Sequence, residues 1–347
     1  MKKLTRAIIC IVLALSLTFS ASAASTQSIG DSFTSFFDGI VRFFSILFGD
    51  IADLFEGGYT RIDIDDYSAL GFDMPGLESG FVPQGLCYSK ELGAYLISGY
   101  TDDGNSRIYV VDAKTNTSKE IILKDFTAHA GGIASNSNSV WVSSGSYIYH
   151  LSLDDIARTE NGAELEFDSK IKLPVKGSFM GCSDDMIWVG EFYTNSGGYE
   201  VDPDHAYGKN HSWACGYSVN ADGSVELKAV ISVPDEVQGM TVLSDNTVIF
   251  STSYGRYNDS ALQIYTPYTE WNQSNVNIGN EDIPFYGCDT SDRIAKIEMP
   301  TLMQGIEVVD GKLCVIYESG AEKYSNAKEV INCVQIIEID EVLNRIK

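Results

Sequence analysis

Short runs of β-forming residues alternate along this chain with turn residues, and five times a glycine followed by an apolar residue begins a group of such runs. The five pairs are Gly85-Leu86, Gly132-Ile133, Gly181-Cys182, Gly239-Met240 and Gly305-Ile306. Successive pairs lie 47, 49, 58 and 66 residues apart. A period of this length is typical of a repeat architecture.

Each group reads as four strands that are separated by hairpin turns. In the first group the strands are predicted at residues 84–88, 95–98, 107–111 and 119–123, and the later groups repeat this order. Four-stranded units repeated around an axis are the blades of a β-propeller. The sequence therefore predicts an all-β protein, a β-propeller of five four-stranded blades. Six blades are the alternative if a diverged copy lies in residues 193–213 or 266–293, and a β-sandwich that does not close is a second alternative.

The last group supplies only three strands, so the ring needs a fourth strand from another part of the chain. Residues 59–65 alternate in polarity, with Ile62 and Ile64 on one face and Arg61, Asp63 and Asp65 on the other. We expect this N-terminal strand to complete the fifth blade, because such a closure covers an open sheet edge. The propeller is thus predicted to span residues 59–347.

The residues before the propeller follow different patterns. Three basic residues precede an apolar run at residues 7–19 and a small-residue triplet at residues 21–23, which predicts a secretory signal peptide at residues 1–23. In the segment of residues 25–58, apolar residues recur at helical spacing. We expect an amphipathic α-helix that packs on the propeller; contact of residues 31–56 with a membrane interface, or self-association, is the alternative.

The chain is strongly acidic, with 48 Asp and Glu against 24 Lys and Arg and a formal net charge of −24 at pH 7. This charge disfavours nucleic acid as a partner. With the signal peptide, it predicts a secreted, extracellular protein whose partner is a small polar ligand or a cell-surface component. The oligomeric state is not predicted.

Six cysteines follow the predicted signal peptide, an even number that permits disulfides in an exported protein. Cys314 and Cys333 fall on neighbouring predicted strands of the last blade and are the best candidates for a bridge. The pairing of the others stays open, and they are Cys87, Cys182, Cys215 and Cys288.

The residue before each repeat glycine is a candidate for the central channel, because the innermost strands of a propeller line that channel. Glutamine occupies this position three times, as Gln84, Gln238 and Gln304. A neutral amide suits polar ligands, carboxylates or water better than a divalent cation. We therefore predict no resident cofactor and no metal, with calcium as the alternative.

Other candidate site residues lie on the second copy and at the ends of the second strands. His129 stands on an innermost strand, two residues before Gly131, and is either a catalytic general base or a structural histidine. Arg256 is able to bind a carboxylate or phosphate through its planar fork, or to pair with Asp259 at the surface. Polar and aromatic residues gather at the strand ends as Tyr100, Glu191, Tyr193, Tyr254, Arg256 and Glu318. Of these, we predict Glu191, Tyr193, Tyr254 and Arg256 as ligand-binding residues, together with the three glutamines.

Several of these motifs carry a resemblance to known families. The Ala-His-Ala-Gly-Gly-Ile run of residues 128–133, the Gln-Gly pairs, Glu-Phe-Tyr at 191–193 and Ser-Tyr-Gly-Arg at 253–256 resemble secreted bacterial β-propeller proteins whose activity is unassigned. More distantly, residues 83–88 and 95–98 resemble the first blade of the gluconolactonase, paraoxonase and strictosidine-synthase-like propellers. That resemblance implies a hydrolase with a channel metal, typically calcium, held by a glutamate at the position of Gln84. Glutamine replaces the acid in this chain.

Two functions follow from these observations. The first is a binding or interaction protein that recognises a small polar ligand or a peptide at the mouth of the channel. The alternative is a hydrolase or lyase of the lactonase or strictosidine-synthase-like type, with His129 as general base. We expect the binding function, because the sequence shows neither a nucleophile motif nor a charged metal cage.

Overall fold

The computed structural model describes residues 64–346 except residues 103, 184 and 221. The predicted signal peptide at residues 1–23, the predicted helix within residues 25–58 and most of the predicted closing strand at residues 59–65 lie outside the described residues. Within the described ranges, no helix is long and apolar enough to cross a membrane.

Strands make up most of the regular structure, as the runs of β-forming residues predict. In chain order the strands are β1 Ser68–Asp73, β2 Phe81–Ser89, β3 Ala94–Thr101, β4 Arg107–Asp112, β5 Ser118–Leu123, β6 Gly132–Asn136, β7 Ser139–Ser144, β8 Tyr147–Ser152, β9 Ala163–Leu165, β10 Ser169–Lys172, β11 Phe179–Cys182, β12 Met186–Gly190, β13 Ser212–Val219, β14 Val225–Val233, β15 Val237–Val242, β16 Thr247–Thr252, β17 Ser260–Pro267, β18 Asn272–Ile278, β19 Glu281–Gly287, β20 Arg293–Met299, β21 Met303–Val309, β22 Lys312–Tyr317 and β23 Cys333–Ile337. The α-helices are α1 Leu153–Arg158 and α2 Ile339–Ile346. The 3-10 turns are Ile64–Tyr67, Leu77–Ser79, Pro203–His205, Tyr268–Glu270, Glu318–Gly320 and Glu322–Tyr324.

These strands form five sheets, each of which is one blade of a β-propeller. From the innermost strand outwards, the orders are β2-β3-β4-β5-β9, β6-β7-β8-β10, β11-β12-β13-β14-β19-β18, β15-β16-β17-β20 and β21-β22-β23-β1. Neighbouring innermost strands contact each other in the cycle β2, β6, β11, β15, β21 and back to β2. The prediction of five four-stranded blades is confirmed. Residues 266–293 do not hold a sixth blade, because the β18–β19 hairpin adds to the edge of the third sheet through a parallel pairing of β19 with β14.

Apolar side chains fill the spaces between neighbouring blades, and each space has its own buried cluster. Trp141 of the second blade packs in one cluster with Ile187 of the third, and Trp188 of the third packs with Phe250 of the fourth. Equivalent clusters join the first blade to the second, the fourth to the fifth and the fifth to the first. Burial of both faces of each sheet explains why the second strands read as continuous apolar runs.

The five repeat glycines lie where the innermost strands of successive blades approach most closely. A Cβ atom placed on any of them would lie 3.0 Å or less from the backbone of the next blade, and real Cβ atoms essentially never make contacts shorter than 3.0 Å. The nearest backbone atoms are Ile133 N for Gly85, Met180 N for Gly132, Met240 O for Gly181, Gln304 O and Gly305 Cα for Gly239, and Leu86 N for Gly305. The sequence repeat is therefore the imprint of a tight ring of backbone contacts around the axis.

The strand that closes the fifth blade begins later than predicted. Residues 64–67 form a 3-10 turn, and the strand that pairs with β23 is β1, with Ser68 opposite Ile337 and Leu70 opposite Gln335. An N-terminal strand does close the ring, but it is β1, which begins at Ser68, and of the predicted strand at residues 59–65 the described residues 64 and 65 lie in the 3-10 turn. The pairing partner decides which segment joins a sheet, and alternation in the sequence does not show that partner.

The predicted bridge between Cys314 and Cys333 is wrong. Cys314 lies opposite Ile336 in the β22–β23 pair, which is three residues along the strand from Cys333. At roughly 3.3 Å per residue, this offset exceeds the span of a disulfide. The six cysteines of the described residues are all free thiols.

Candidate functional site

A cavity of about 710 Å³ opens at the mouth of the channel, and all five blades contribute to its wall. Six predicted ligand-binding or catalytic residues line it, namely Gln84, His129, Gln238, Tyr254, Arg256 and Gln304. Tyr100 and Glu318, which the sequence placed at the ends of second strands, line it as well. Residues that are more than 200 positions apart in the chain thus meet in one place.

The three glutamines reach the cavity because each lies at a β-bulge. In the pairing of β2 with β3, Pro83 lies opposite Gly99 and Gly85 opposite Ser98, so Gln84 is the extra residue. The register shifts in the same way around Gln238 in β15 and around Gln304 in β21. A bulge bends its strand and redirects a side chain. The Gln-Gly sequence therefore combines a redirected amide with a glycine that permits close packing of the next blade.

A chain of hydrogen bonds connects the first blade to the fifth through Gln84. The Gln84 amide nitrogen donates to the Pro83 carbonyl at 2.9 Å and to Oε2 of Glu318 at 2.8 Å. The Gln84 Oε1 atom lies 2.7 Å from Nε2 of His129. Because an amide oxygen only accepts, Nε2 of His129 carries the proton and Nδ1 is the nitrogen with the lone pair.

His129 lies at the surface of the cavity and is a solvent-exposed residue whose ring packs on Tyr100 with 4.5 Å between the ring centroids. Partial desolvation by the surrounding protein, with repulsion from Lys323, lowers the pKa of His129 to about 4, which favours the neutral imidazole at pH 7.

Glu318 is the carboxyl group of the cavity wall and is almost fully buried. The Gln84 amide donates to its Oε2 atom at 2.8 Å. Burial raises the pKa of Glu318 to about 7, although the side chains of Gln84, Gln304 and Tyr324 and the charge of Lys323 act in the opposite direction. Glu318 therefore exchanges a proton near neutral pH.

Two cations and a set of aromatic rings form another part of the wall. The Arg256 guanidinium stacks over the ring of Tyr324 with 4.7 Å from its central carbon to the ring centroid, and it also donates to Asn326. Lys323 lies over Tyr100 at 4.8 Å and binds Asp102 at 2.8 Å. The sequence left open whether Arg256 pairs with Asp259; that aspartate binds Lys328 instead.

Glu191 and Tyr193, which we predicted as ligand-binding residues, lie outside the cavity wall. Buried Glu191 accepts hydrogen bonds from the backbone of Lys176 and Trp213 and lies 2.7 Å from Nδ1 of His205. Its contacts fasten the long loop of residues 193–211 to the third blade. Tyr193 stacks on His211 with 4.4 Å between the ring centroids. Only Tyr199 of that loop, with Phe192 before it, reaches the cavity.

Lys323 and Tyr324 belong to the cavity but were not predicted. They lie on the 3-10 turn Glu322–Tyr324, in the connection between β22 and β23 of the fifth blade. The signal was the length of this connection, which joins Tyr317 to Cys333, whereas the second-to-third strand connection of a hairpin is usually short.

The cavity wall does not fit a calcium ion. Calcium takes six to eight oxygen ligands, several of them carboxylate oxygens. Glu318 is the carboxylate among the lining residues, and it already accepts a hydrogen bond from the Gln84 amide. Across the described part of the chain, no group of three or more His, Cys, Asp or Glu is arranged to hold a metal ion. The Gln84 amide instead binds an acid, Glu318, and a histidine, His129.

Comparisons with known proteins give little beyond this geometry. No protein-family model matches the chain, and no curated protein matches it. Among solved structures, the chain is similar to a luciferin-regenerating enzyme at 12% sequence identity and a TM-score of 0.41, over 78% of this chain and 95% of that one. The assignment of the fold therefore rests on the sheet order and the strand pairing described above.

Proposed function

We propose that this chain is an exported β-propeller protein that binds a small polar ligand in the cavity at the channel mouth. One observation carries the proposal: the three bulged glutamines, His129 and Arg256 converge on a cavity of about 710 Å³ with aromatic walls. Ligand sites commonly have about this volume and combine apolar walls with a few converging polar groups. The formal net charge of −24 supports a partner other than nucleic acid.

The state of His129 supports binding over catalysis by that residue. A general base works best when its pKa lies near the operating pH. With a pKa of about 4, and with Nε2 bonded to Gln84, His129 is a weak base that is well suited to present a fixed hydrogen-bonding pattern to a ligand.

The alternative is acid–base chemistry of the hydrolase or lyase type, and Glu318 favours it more than His129 does. Glu318 lines the same cavity and has a pKa of about 7, which suits proton transfer at neutral pH. If the chain turns over an ester, a lactone or a glycan, we expect Glu318 to be the group that moves the proton.

The proposal is tested by a thermal-shift and calorimetry screen of the full chain against sugars, cell-wall fragments, small carboxylates and amino acids. We expect at least one compound to bind and its affinity to fall about ten-fold or more in Arg256→Ala, because a hydrogen bond to a charged group contributes about 1.5–3 kcal/mol. Arg158→Ala is the matched control, since Arg158 is an exposed arginine paired with Asp155 on α1.

Three results would contradict the proposal or a part of it. Unchanged affinity of every bound compound in both Arg256→Ala and Gln304→Ala would place binding elsewhere on the molecule. Turnover of a screened compound that disappears in Glu318→Gln, with binding retained, would establish the alternative. Stabilisation by calcium that a chelator reverses would overturn the metal-free description of the cavity.

A further inference from the structure

The cavity contains an acidic group and a basic group that flank the same tyrosine. The Tyr324 side chain is close enough to Glu318 to lower the pKa of that carboxyl group, and the Arg256 guanidinium lies over the Tyr324 ring, 4.7 Å from its centroid. Both charged groups therefore lie around one aromatic side chain of the cavity wall.

The acidic group has hydrogen-bond capacity for a further donor. A carboxylate offers about four lone-pair positions, and the uncharged Gln84 amide uses one of them. The nearby positive charge of Lys323 is itself paired with Asp102 at 2.8 Å. A buried carboxylate is stabilised strongly by a further positively charged partner, because the surrounding protein screens the attraction less than water does.

The basic group consists of Arg256 and Lys323, which lie over the ring of Tyr324 at 4.7 and 5.9 Å from its centroid. The guanidinium has five N–H donors, and the contact with Asn326 uses only part of them. A ligand carboxylate is the natural partner of a stacked arginine with a lysine beside it.

The remaining wall is aromatic and accepts an apolar group. The Phe192 ring lies 4.8 Å from that of Tyr199 and 6.1 Å from that of Tyr254, measured between centroids. All three line the cavity. Aromatic faces of this kind pack well against a flat or apolar side chain.

We propose that the cavity binds small zwitterions of the amino-acid type, with the ligand ammonium group on Glu318, its carboxylate on Arg256 and Lys323, and an apolar or aromatic side chain against Phe192, Tyr199 and Tyr254. This inference rests on the proposed binding function and names the ligand class for the same site. Glu318 is the acidic pole of this site, and Arg256 with Lys323 is the basic pole. A compound that lacks the ammonium group or the carboxylate therefore loses its contact with one pole.

The test uses calorimetry on the full chain with three probes that share one side chain. L-phenylalanine carries both charges, N-acetyl-L-phenylalanine lacks the ammonium group and L-phenylalaninamide lacks the carboxylate. We expect L-phenylalanine to bind and each blocked probe to bind about ten-fold or more weakly, in line with about 1.5–3 kcal/mol for a charge-assisted hydrogen bond. This comparison needs no variant and is independent of any folding defect.

Variants then assign each pole to its residues. Glu318→Gln should weaken L-phenylalanine about ten-fold and leave N-acetyl-L-phenylalanine within about three-fold, because the acetylated probe has no charge for Glu318 to bind. Arg256→Ala should weaken L-phenylalanine and leave L-phenylalaninamide nearly unchanged. Arg158→Ala should change neither.

Proton release gives a second measurement on Glu318. Because the pKa of Glu318 is about 7, binding of an ammonium group at pH 7 should release about half a proton. The binding heat should then depend on the ionisation heat of the buffer, and this dependence should vanish in Glu318→Gln.

The outcomes separate this inference from the proposed function. If N-acetyl-L-phenylalanine or a neutral sugar binds as tightly as L-phenylalanine and loses affinity in Arg256→Ala, the cavity binds ligands but the zwitterion inference is wrong. If Glu318→Gln leaves L-phenylalanine binding unchanged, the inference is also wrong. If none of these probes and no compound of the wider screen binds, the proposed function itself fails.

Discussion

Gln84 lies between His129 and Glu318 and fixes the hydrogen-bonding role of each. Its oxygen accepts from His129 and its nitrogen donates to Glu318, and the opposite orientation would place the amide oxygen against a carboxylate. A glutamate at this position would add a second acid beside Glu318, where like charges repel. The amide is therefore the one side chain of this length that satisfies a histidine N–H and a carboxylate together.

This arrangement leads to a prediction about His129. We expect its imidazole to titrate with a midpoint of about 4 and to carry its proton on Nε2 at pH 7, because it is partly desolvated, close to Lys323 and bonded to Gln84. Nitrogen-15 NMR of the histidine side chains measures both the midpoint and the tautomer. In Gln84→Leu the preference for the Nε2 tautomer should weaken, since the acceptor is gone.

The same shift has a consequence for stability. The pKa of His129 in the folded protein lies below the ordinary value of about 6.5, so the unfolded chain binds more protons than the folded one between about pH 4 and 6.5. The contribution of His129 to the free energy of unfolding is therefore present above about pH 6.5 and is lost as the pH falls from about 6.5 to 4. His129→Gln, which keeps a donor for Gln84, should remove that part of the pH dependence of the free energy of unfolding. A midpoint at or above 6.5 would contradict the lowered pKa of His129.

At the scale of single elements, the sequence predicted the inner and second strands well and the closing strand poorly. The glycine of each innermost strand and the apolar run of each second strand are local signals, because both faces of these strands are buried. The closing strand β1 has weak alternation and one exposed face, and it is selected by its pairing with β23. The bulges at the glutamines were also invisible, since a bulge is a property of two paired strands.

The corrected closure is tested by two substitutions in β1. Phe72 is buried between the fifth and first blades and packs on Tyr95 with 5.1 Å between the ring centroids, whereas the Leu70 side chain is 78% exposed. We expect Phe72→Ala to lower the free energy of unfolding by about 3 kcal/mol, as for other buried aromatic truncations. Leu70→Ala should change it by no more than about 0.5 kcal/mol.

Chemical denaturation of both variants makes this comparison. Equal and small effects would mean that β1 contributes little to closing the ring. Equal and large effects would mean that the exposed face of β1 is covered in solution.

At the scale of the whole molecule, the candidate site was predictable in part because the repeat places equivalent residues around one axis. The glutamines and His129 were predicted from their positions beside the repeat glycines, and Arg256 and Tyr254 from the end of a second strand. Lys323 and Tyr324 come from a long connection whose path depends on packing against the first blade, and no local pattern predicts such a path. The same holds for Glu191, which lies at the end of a strand but points into the structure rather than into the cavity.

The charge of the whole molecule gives a final prediction, for the rate of ligand association. The formal net charge of −24 creates a long-range field that repels anions and attracts cations, while Arg256 and Lys323 act only at short range. At about 0.01 M salt, where the Debye length is about 30 Å, we expect L-phenylalaninamide to associate fastest, zwitterionic L-phenylalanine next and N-acetyl-L-phenylalanine slowest.

Stopped-flow fluorescence at increasing salt checks this order. The three association rate constants should converge towards 1 M salt, where the Debye length falls to about 3 Å, and that of L-phenylalanine should change least because its net charge is zero. Fastest association of the acetylated probe at low salt would mean that the cations at the cavity mouth dominate the field. If the expected order holds, the negative field favours the cationic probe during approach, and the protein selects zwitterions only through the contacts inside the cavity.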